Sequence, residues 1–425
     1  MALVRIALDG YRCFAQRQVI ELHPITVVLG KNNAGKSALV RSPVVGETGI
    51  RTDSPAPLDI DALGEDFLES FTDLVYGNRP HGKIGIELAI ENGPATTRLA
   101  ATIQHIDEYD TQVVSSVALS SGASSTVLTW EPSEPPDQAA YTIADSGSRH
   151  EGIPVEFKGL LPSGLPTETL PHTLVEKVRT AVQSIRAGYP AIRYLGPFRD
   201  RPHRRYRLPA RMPAELGVTG THAAGILARD FARQNGLLLR RVNDELTQSL
   251  PGWEIGLIER GGMYSVMLTS KADSSVTVNL ADAGTGVAQV LPLLVQRAID
   301  NVTDPDGDVL EIIEQPELHL HPAAHAALAD MYLSAQRSGL RFIIETHSET
   351  FLLRLRRRIA EGTSDPSTVA VYFVEQDNGA ATVHRIAIDS NGNLDRWPEG
   401  VFSEDYEETQ KLAEAQLAKG DPGAR

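Results

Sequence analysis

The stretch Gly30-Lys31-Asn32-Asn33-Ala34-Gly35-Lys36-Ser37 sets two glycines, a lysine and a hydroxyl at the G-x-x-x-x-G-K-[ST] spacing of a phosphate-binding loop. The chemistry of such a loop is the seating of a polyphosphate. Successive backbone N–H groups and the positive end of a helix face the anion, Lys36 reaches the β- and γ-phosphates, and the Ser37 hydroxyl sits on Mg²⁺. The candidate nucleotide contacts are therefore Gly30, Asn32, Asn33, Ala34, Gly35, Lys36, Ser37 and Ala38. The elements that must hold them are legible on either side. Ile25-Thr26-Val27-Val28-Leu29 is apolar and β-branched and reads as a buried strand, while Lys36 to Arg41 reads as a helix start.

Three more stretches could do chemistry. The apolar run Val309-Leu310-Glu311-Ile312-Ile313 ends in Glu314-Gln315-Pro316-Glu317, followed by Leu318-His319-Leu320-His321-Pro322. An acid at the end of a buried strand, downstream of a phosphate loop, can hold Mg²⁺ and orient a water; two carboxylates so placed could also be surface acids. His319 and His321 alternate as metal ligands do, without a third ligand nearby for zinc. Phe342-Ile343-Ile344 ends in Glu345-Thr346-His347-Ser348, where His347 either donates to a γ-phosphate or, with Ser348, caps the next helix. Asp282-Ala283-Gly284-Thr285-Gly286-Val287-Ala288-Gln289 places Gly284 and Gly286 before an apolar run, a weaker form of the glycine-then-helix anion seat.

The rest of the chain must position these groups. With 425 residues, 41% of them hydrophobic and 22% charged, it is a soluble globular composition long enough for a large core with insertions. No run of eighteen apolar residues and no signal-peptide layout occurs, so a cytoplasmic protein without membrane contact is expected. A single cysteine, Cys13, excludes an internal disulfide and reads as a small buried hydrophobe. A net charge of −15 confines any nucleic-acid contact to local patches. The candidates are Arg199 to Arg211, which is either a solvated loop or an anion-facing patch, and Arg354 to Arg358.

The coarse reading divides the chain into 1–50, carrying a hairpin and the phosphate loop; 51–170, a β-rich antiparallel subdomain; 171–275, a helical insertion with the arginine segment; 276–400, an α/β lobe; and 401–425, a helix and tail. Within these, helical periodicity after Ser37 is expected to fail at Pro43 and Gly46. Glu131 to Asp137 reads as a linker, residues 382–388 and 392–397 as a closing hairpin, and Lys419 to Arg425 as disordered.

In their order along the chain, the four motifs resemble the ABC-type ATPase clade that includes RecF, the SMC proteins and the overcoming-lysogenization-defect (OLD) family. The segments Glu314 to Pro322 and Asp282 to Pro292 are similar to the OLD-like branch, and the turn Arg193 to Arg199 and the stretch Asp395 to Phe402 to members lacking a nuclease domain. The resemblance covers about residues 1–45 and 275–400. It implies an α/β fold, an ABC-ATPase-like P-loop core with an antiparallel β subdomain and a helical insertion. It implies ATP and Mg²⁺, with Lys36, Glu314, Gln315, Glu317 and His347 as the catalytic set and Ser37 and Glu314 on the metal. Arg12 would lie near the nucleotide. Asp282, Gly284, Gly286 and Gln289 would reach ATP bound by a second subunit, in a homodimer or higher homo-oligomer. One departure stands out: Gln315 occupies the usual catalytic glutamate position. Loss of a general base costs roughly 10²–10⁴ in rate, so either Glu317 serves as base or hydrolysis is slow.

The function this resemblance implies is a sensor or regulatory ATPase of a prokaryotic antiphage system, similar to the ATPase components of Septu and PARIS and working with a separate effector. No Asp-x-Asp follows Val374, so no intrinsic nuclease is expected. Competing readings are a RecF-like ATPase contacting DNA through Arg199–Arg211, a scaffold held together by nucleotide, and a transport nucleotide-binding domain. The absent Leu-Ser-Gly-Gly-Gln signature argues against the last.

Overall fold

The computed structural model describes residues 2–64, 67–122, 124–132, 140–249, 251–303, 308–337, 339–397 and 404–420. At its centre is a six-stranded sheet in the order Ala191–Leu195, Val309–Glu314, Arg341–Glu345, Ile25–Gly30, Val369–Asp377, Ala380–Ile386. The first five strands pair in parallel and the last antiparallel. The interior strands are continuous apolar runs because both faces of the sheet are covered. Side-chain alternation assigns Val28, Ile312, Ile343 and Tyr372 to one core and Val27, Ile313, Ile344 and Val371 to the other.

The first core is closed by an eight-stranded antiparallel sheet and the helix His172–Gly188. That sheet runs Gln18–Glu21, Ala2–Asp9, Lys83–Asn92, Ala95–Ile106, Thr111–Ser121, Ser124–Glu131, Ala140–Asp145, Ser148–Pro154. The expected N-terminal hairpin thus belongs to the same sheet as the β-rich subdomain. It docks on the central sheet through Tyr372, whose hydroxyl accepts from the Glu21 N–H at 2.7 Å, and through Arg341, which donates to the carbonyls of Leu3 and Leu22.

The second core is covered by the helices Thr285–Val302, Pro322–Gln336 and Glu349–Ala360, with Ala223–Arg233 and Leu237–Ser249 beside them. A small sheet of Tyr206–Arg207, Met263–Ser270, Trp253–Arg260 and Thr277–Asn279 flanks this layer. Among the described residues no helix is long and apolar enough to cross a membrane.

Several expectations change. The segment 171–275 is more than a helical insertion: Ala191–Leu195 is an edge strand of the central sheet, paired in parallel with Val309–Glu314. Helix does not fail after Ser37. Lys36–Val40 is followed through Arg41 by Ser42–Ile50, because Pro43 sits in the first turn, where its missing N–H is harmless. Gly46 is needed there for close approach, since a Cβ would lie 2.6 Å from the Tyr189 hydroxyl oxygen. The hairpin closing the chain is Val369–Asp377 with Ala380–Ile386; around residues 389–392 only a single bridge, Ile388 to Leu394, forms. Glu131 ends a strand, and 133–137 of the expected linker lie outside the described residues. Residues 419 and 420 complete the helix Glu404–Gly420, and 421–425 lie outside the described residues.

Phe342 is fully buried, edge-on to Tyr332 at 5.1 Å and beneath the Arg297 guanidinium. Phe342→Ala is expected to cost about 3–5 kcal/mol of stability, measured as a lowered denaturant midpoint.

Candidate functional site

The loop strand Ile25–Gly30 ends where a Cβ on Gly30 would collide with the Val374 carbonyl of the neighbouring strand. Gly35, at φ +100°, lies against the Cys13 sulfur, which again leaves no room for a side chain. Cys13 is half-buried, and burial pushes its thiol up to about 11, so it acts there as packing. Between these glycines the chain wraps a cavity of about 530 Å³, lined by Asn32, Asn33, Gly35, Lys36, Ser37 and Ala38 of the loop. Arg12, Cys13, Gln315, Glu345, His347 and Gln376 complete its wall. Arg12 is held there by its bond to the Phe67 carbonyl.

The Lys36 ammonium donates to the Lys31 carbonyl at 2.8 Å and lies 4.0 Å from Glu345. Burial holds its pKa below the ordinary lysine value, against the charges of Glu345 and Glu314. The Ser37 hydroxyl donates to Glu345 Oε2 at 2.8 Å. Ser37 and Glu345 therefore supply hard oxygen donors beside a phosphate seat, a set that suits Mg²⁺.

Glu314, the acid expected on the metal, is elsewhere. It is 1% exposed, takes a two-pronged bond from Arg41 at 2.5 and 2.9 Å, and accepts from the Tyr194 hydroxyl at 2.7 Å. It does not line the cavity. Turning it toward a metal would break a largely buried ion pair, a change that typically costs about 3–5 kcal/mol.

Gln315 takes a left-handed conformation, φ +46°, and its N–H donates to the Glu345 carbonyl at 2.7 Å, which aims its side chain into the cavity wall. Glu317 accepts the His347 N–H through Oε1 at 2.7 Å and lies outside the wall. Burial first, and the Lys36 charge second, hold the His347 imidazole below its ordinary pKa and so favour its neutral form. Ser348 caps the helix Glu349–Ala360 by accepting from the Phe351 N–H, and His321 caps Pro322–Gln336. The capping reading thus fits Ser348, while His347 faces the cavity.

Asp282, Gly284, Gly286 and Gln289 lie outside the cavity wall of their own chain. Asp282 pairs with Arg204, Gly284 precedes the helix Thr285–Val302, and Gly286 sits where a Cβ would lie 2.8 Å from the His319 carbonyl oxygen. The Gln289 amide donates to the Arg199 carbonyl. Arg199 is buried and its guanidinium donates to the carbonyls of Glu314 and Gln315, so the glycine segment is tied to the acid strand through one arginine.

The sequence motifs do not single out Glu345, Arg41 or Tyr194, and Arg199, expected in an anion-facing patch or solvated loop, is buried. For Glu345 a signal exists: it ends a buried apolar strand as Glu314 does. Of the two arginine runs, Arg354 and Arg358 share Asp330, Arg357 and Arg358 pair with Glu361, and Arg356 donates to the Gly392 carbonyl. Arg201, Arg205, Arg207 and Arg211 are exposed and have no carboxylate partner among the described residues.

The central sheet, the loop and the antiparallel subdomain form an α/β, ABC-ATPase-like P-loop fold. Residues 166–354 match a family model described as "AAA domain, putative AbiEii toxin, Type IV TA system", and residues 365–412 match one described as "Protein of unknown function (DUF3696)". No curated protein matches the chain. Among solved structures, an SMC head bound to the C-terminal winged-helix domain of ScpA is similar with TM-score 0.48 and 12% identity, over 92% of this chain and 98% of that one. The SMC head domain of Thermotoga maritima gives TM-score 0.45 and 12% identity, over 91% of this chain and 100% of that one.

Burial, with the Glu314 charge behind it, raises the Glu345 carboxyl from 4.5 to about 7, opposed by Ser37 and Lys36. The folded chain then holds a proton that the unfolded chain has lost, so stability falls as pH rises from about 4.5 to about 7 and levels above. In metal- and nucleotide-free protein, Glu345→Gln is expected to gain roughly 1–3 kcal/mol above pH 7 and little near pH 4.5, read from denaturant titrations across that range.

Proposed function

We propose that this chain binds ATP with Mg²⁺ at the Gly30–Ser37 loop and hydrolyses it slowly at a site completed by a second copy. It would serve as the sensor or regulatory ATPase of a prokaryotic antiphage system with a separate effector. The observation that carries this reading is the half-built cavity. Lys36, Ser37, Glu345, Gln315 and His347 converge on it, whereas Asp282 to Gln289 stand apart on the same chain. A segment with that composition, facing outward, is suited to close the cavity of another subunit.

Slow turnover follows from Gln315, whose amide can hold a water but takes no proton from it. A defence setting is in keeping with the match of residues 166–354 to a model described as "AAA domain, putative AbiEii toxin, Type IV TA system". Glu317 is the alternative base, but its Oε1 is engaged by the His347 N–H.

A second reading, direct DNA binding as in RecF, is favoured by one observation: Arg201, Arg205, Arg207 and Arg211 are exposed without carboxylate partners among the described residues. Salt-sensitive duplex binding, lost when these four are replaced by alanine, is its signature.

Particle mass measured with ATP and with ADP is expected to show an ATP-dependent dimer that Lys36→Ala abolishes. An oligomer indifferent to nucleotide counts against the shared site. In single-turnover assays Gln315→Glu is expected to raise the hydrolysis rate by roughly 10-fold or more. Rapid wild-type turnover, unaffected by Glu317→Gln, contradicts the slow-hydrolysis reading.

A further inference from the structure

We infer that Glu345, at the end of the strand Arg341–Glu345, is the carboxylate that serves Mg²⁺ in the nucleotide cavity, and that Glu314 at the end of the neighbouring strand is a structural acid. The inference rests on the nucleotide-binding reading above and assigns the metal side of that site.

Three observations carry it. Glu345 is the one carboxylate in the cavity wall, among the described residues. Its Oε2 accepts from the Ser37 hydroxyl at 2.8 Å, so it stands on the metal-facing side of the phosphate loop. The oxygens of Glu314 are occupied by Arg41 and Tyr194, and the Arg41 guanidinium is itself braced over the Phe67 and Tyr194 rings at 5.5 and 5.7 Å. An arginine that is bidentate to an acid and stacked on two aromatic rings competes directly with a metal for that acid. Glu317 is excluded by position, since it lies outside the wall and holds the His347 N–H.

Sequence position alone favours Glu314, because it ends the acid strand before Gln315 and Pro316. The contacts reverse that preference. Arg341–Glu345 lies directly beside the loop strand, with Glu345 in register with Val28, and the strand carrying Glu314 is one position further out, but strand order alone does not choose between the two acids. Glu345 is the one of the two that bonds Ser37 and lines the cavity. The assignment also has a consequence for turnover. With Glu345 on the metal and an amide at Gln315, the cavity wall has, among the described residues, no second carboxylate to take the proton of an attacking water.

The test is binding of a fluorescent ATP analogue to the full chain, titrated with Mg²⁺ and repeated in EDTA, for wild type, Glu345→Gln, Glu314→Gln and Ser37→Ala. The expected result is that Mg²⁺ tightens binding to wild type and that Glu345→Gln loses roughly 10-fold of this enhancement while its affinity in EDTA is kept. Ser37→Ala should lose a similar share, and the Glu345→Gln/Ser37→Ala double variant little more, because the two act on one ion. Glu314→Gln should lower thermal stability yet keep the Mg²⁺ enhancement in the folded fraction. A normal enhancement in Glu345→Gln, or its loss in Glu314→Gln alone, overturns the assignment and leaves the nucleotide-binding reading standing. Absence of nucleotide binding by the wild-type chain at every Mg²⁺ concentration overturns both. Should Glu314→Gln fail to fold, the double variant Glu314→Gln/Arg41→Met, which removes both charges of the buried pair, replaces it with the same expectation.

Discussion

Parallel pairing of Val309–Glu314 with Arg341–Glu345 puts two carboxylates side by side, Glu314 in register with Glu345, and both are almost fully buried. Like charges in register at the end of a buried sheet cannot both be left to water or to each other. The structure separates their fates. Glu314 is neutralised by Arg41, and Glu345 is shared between the Ser37 hydroxyl and the more distant Lys36 ammonium. All three partners come from the short segment Lys36 to Arg41, so the phosphate loop and the acid strands depend on one another. The helix that follows the loop is where both acids find their partners. This is also why burial shifts the titration of Glu345 upward while Lys36 shifts downward: the cavity has been built around a charge balance that a bound polyphosphate and cation would complete.

The second link in the site runs through Arg199. Its guanidinium holds the carbonyls of Glu314 and Gln315, and its own carbonyl accepts from Gln289 on the helix Thr285–Val302. Gly286 on the same helix lies against the His319 carbonyl, just beyond the acid strand. That helix therefore meets the acid segment at the His319 carbonyl and, through Arg199, at the Glu314 and Gln315 carbonyls. Burying a guanidinium is costly unless it is bonded, and here it bonds two backbone carbonyls at the end of the acid strand. The same arginine belongs by sequence to a run that looks like a nucleic-acid patch. Its burial removes it from any such surface, whereas Arg201, Arg205, Arg207 and Arg211 remain exposed.

Much of this was legible in the sequence because it is local. The loop spacing, the apolar strand before it, the acid strand at 309–313 and the alternation of the β-rich region each depend on neighbours a few residues apart. What could not be read depends on pairing between distant segments. Ala191–Leu195 is an ordinary short apolar run until Val309–Glu314 pairs with it, and only that pairing moves it from an insertion into the central sheet. Pro43 and Gly46 signal a break by local rules, yet the proline falls in a helix's first turn and the glycine admits Tyr189. Arg354 to Arg358 read as a basic cluster because the partner acid Asp330 lies on another helix. In each case the residue type was informative, but its meaning was set by what the fold brought against it.

Gln315 shows the same point at the level of chemistry. Its backbone does structural work that does not involve the side chain: the N–H bonds the Glu345 carbonyl, and the left-handed turn ends the acid strand. Any residue that tolerates that conformation could supply this, so folding does not fix the side chain at 315. The carboxylate expected there is absent, and the neighbouring acid is committed to Arg41 and Tyr194. A cavity that keeps the phosphate-loop lysine and hydroxyl and one carboxylate, but places an amide where a base would stand, keeps groups that can bind and lacks one that can take a proton. Under the proposed function, the lifetime of the bound state, more than the rate of the reaction, would carry information to a partner.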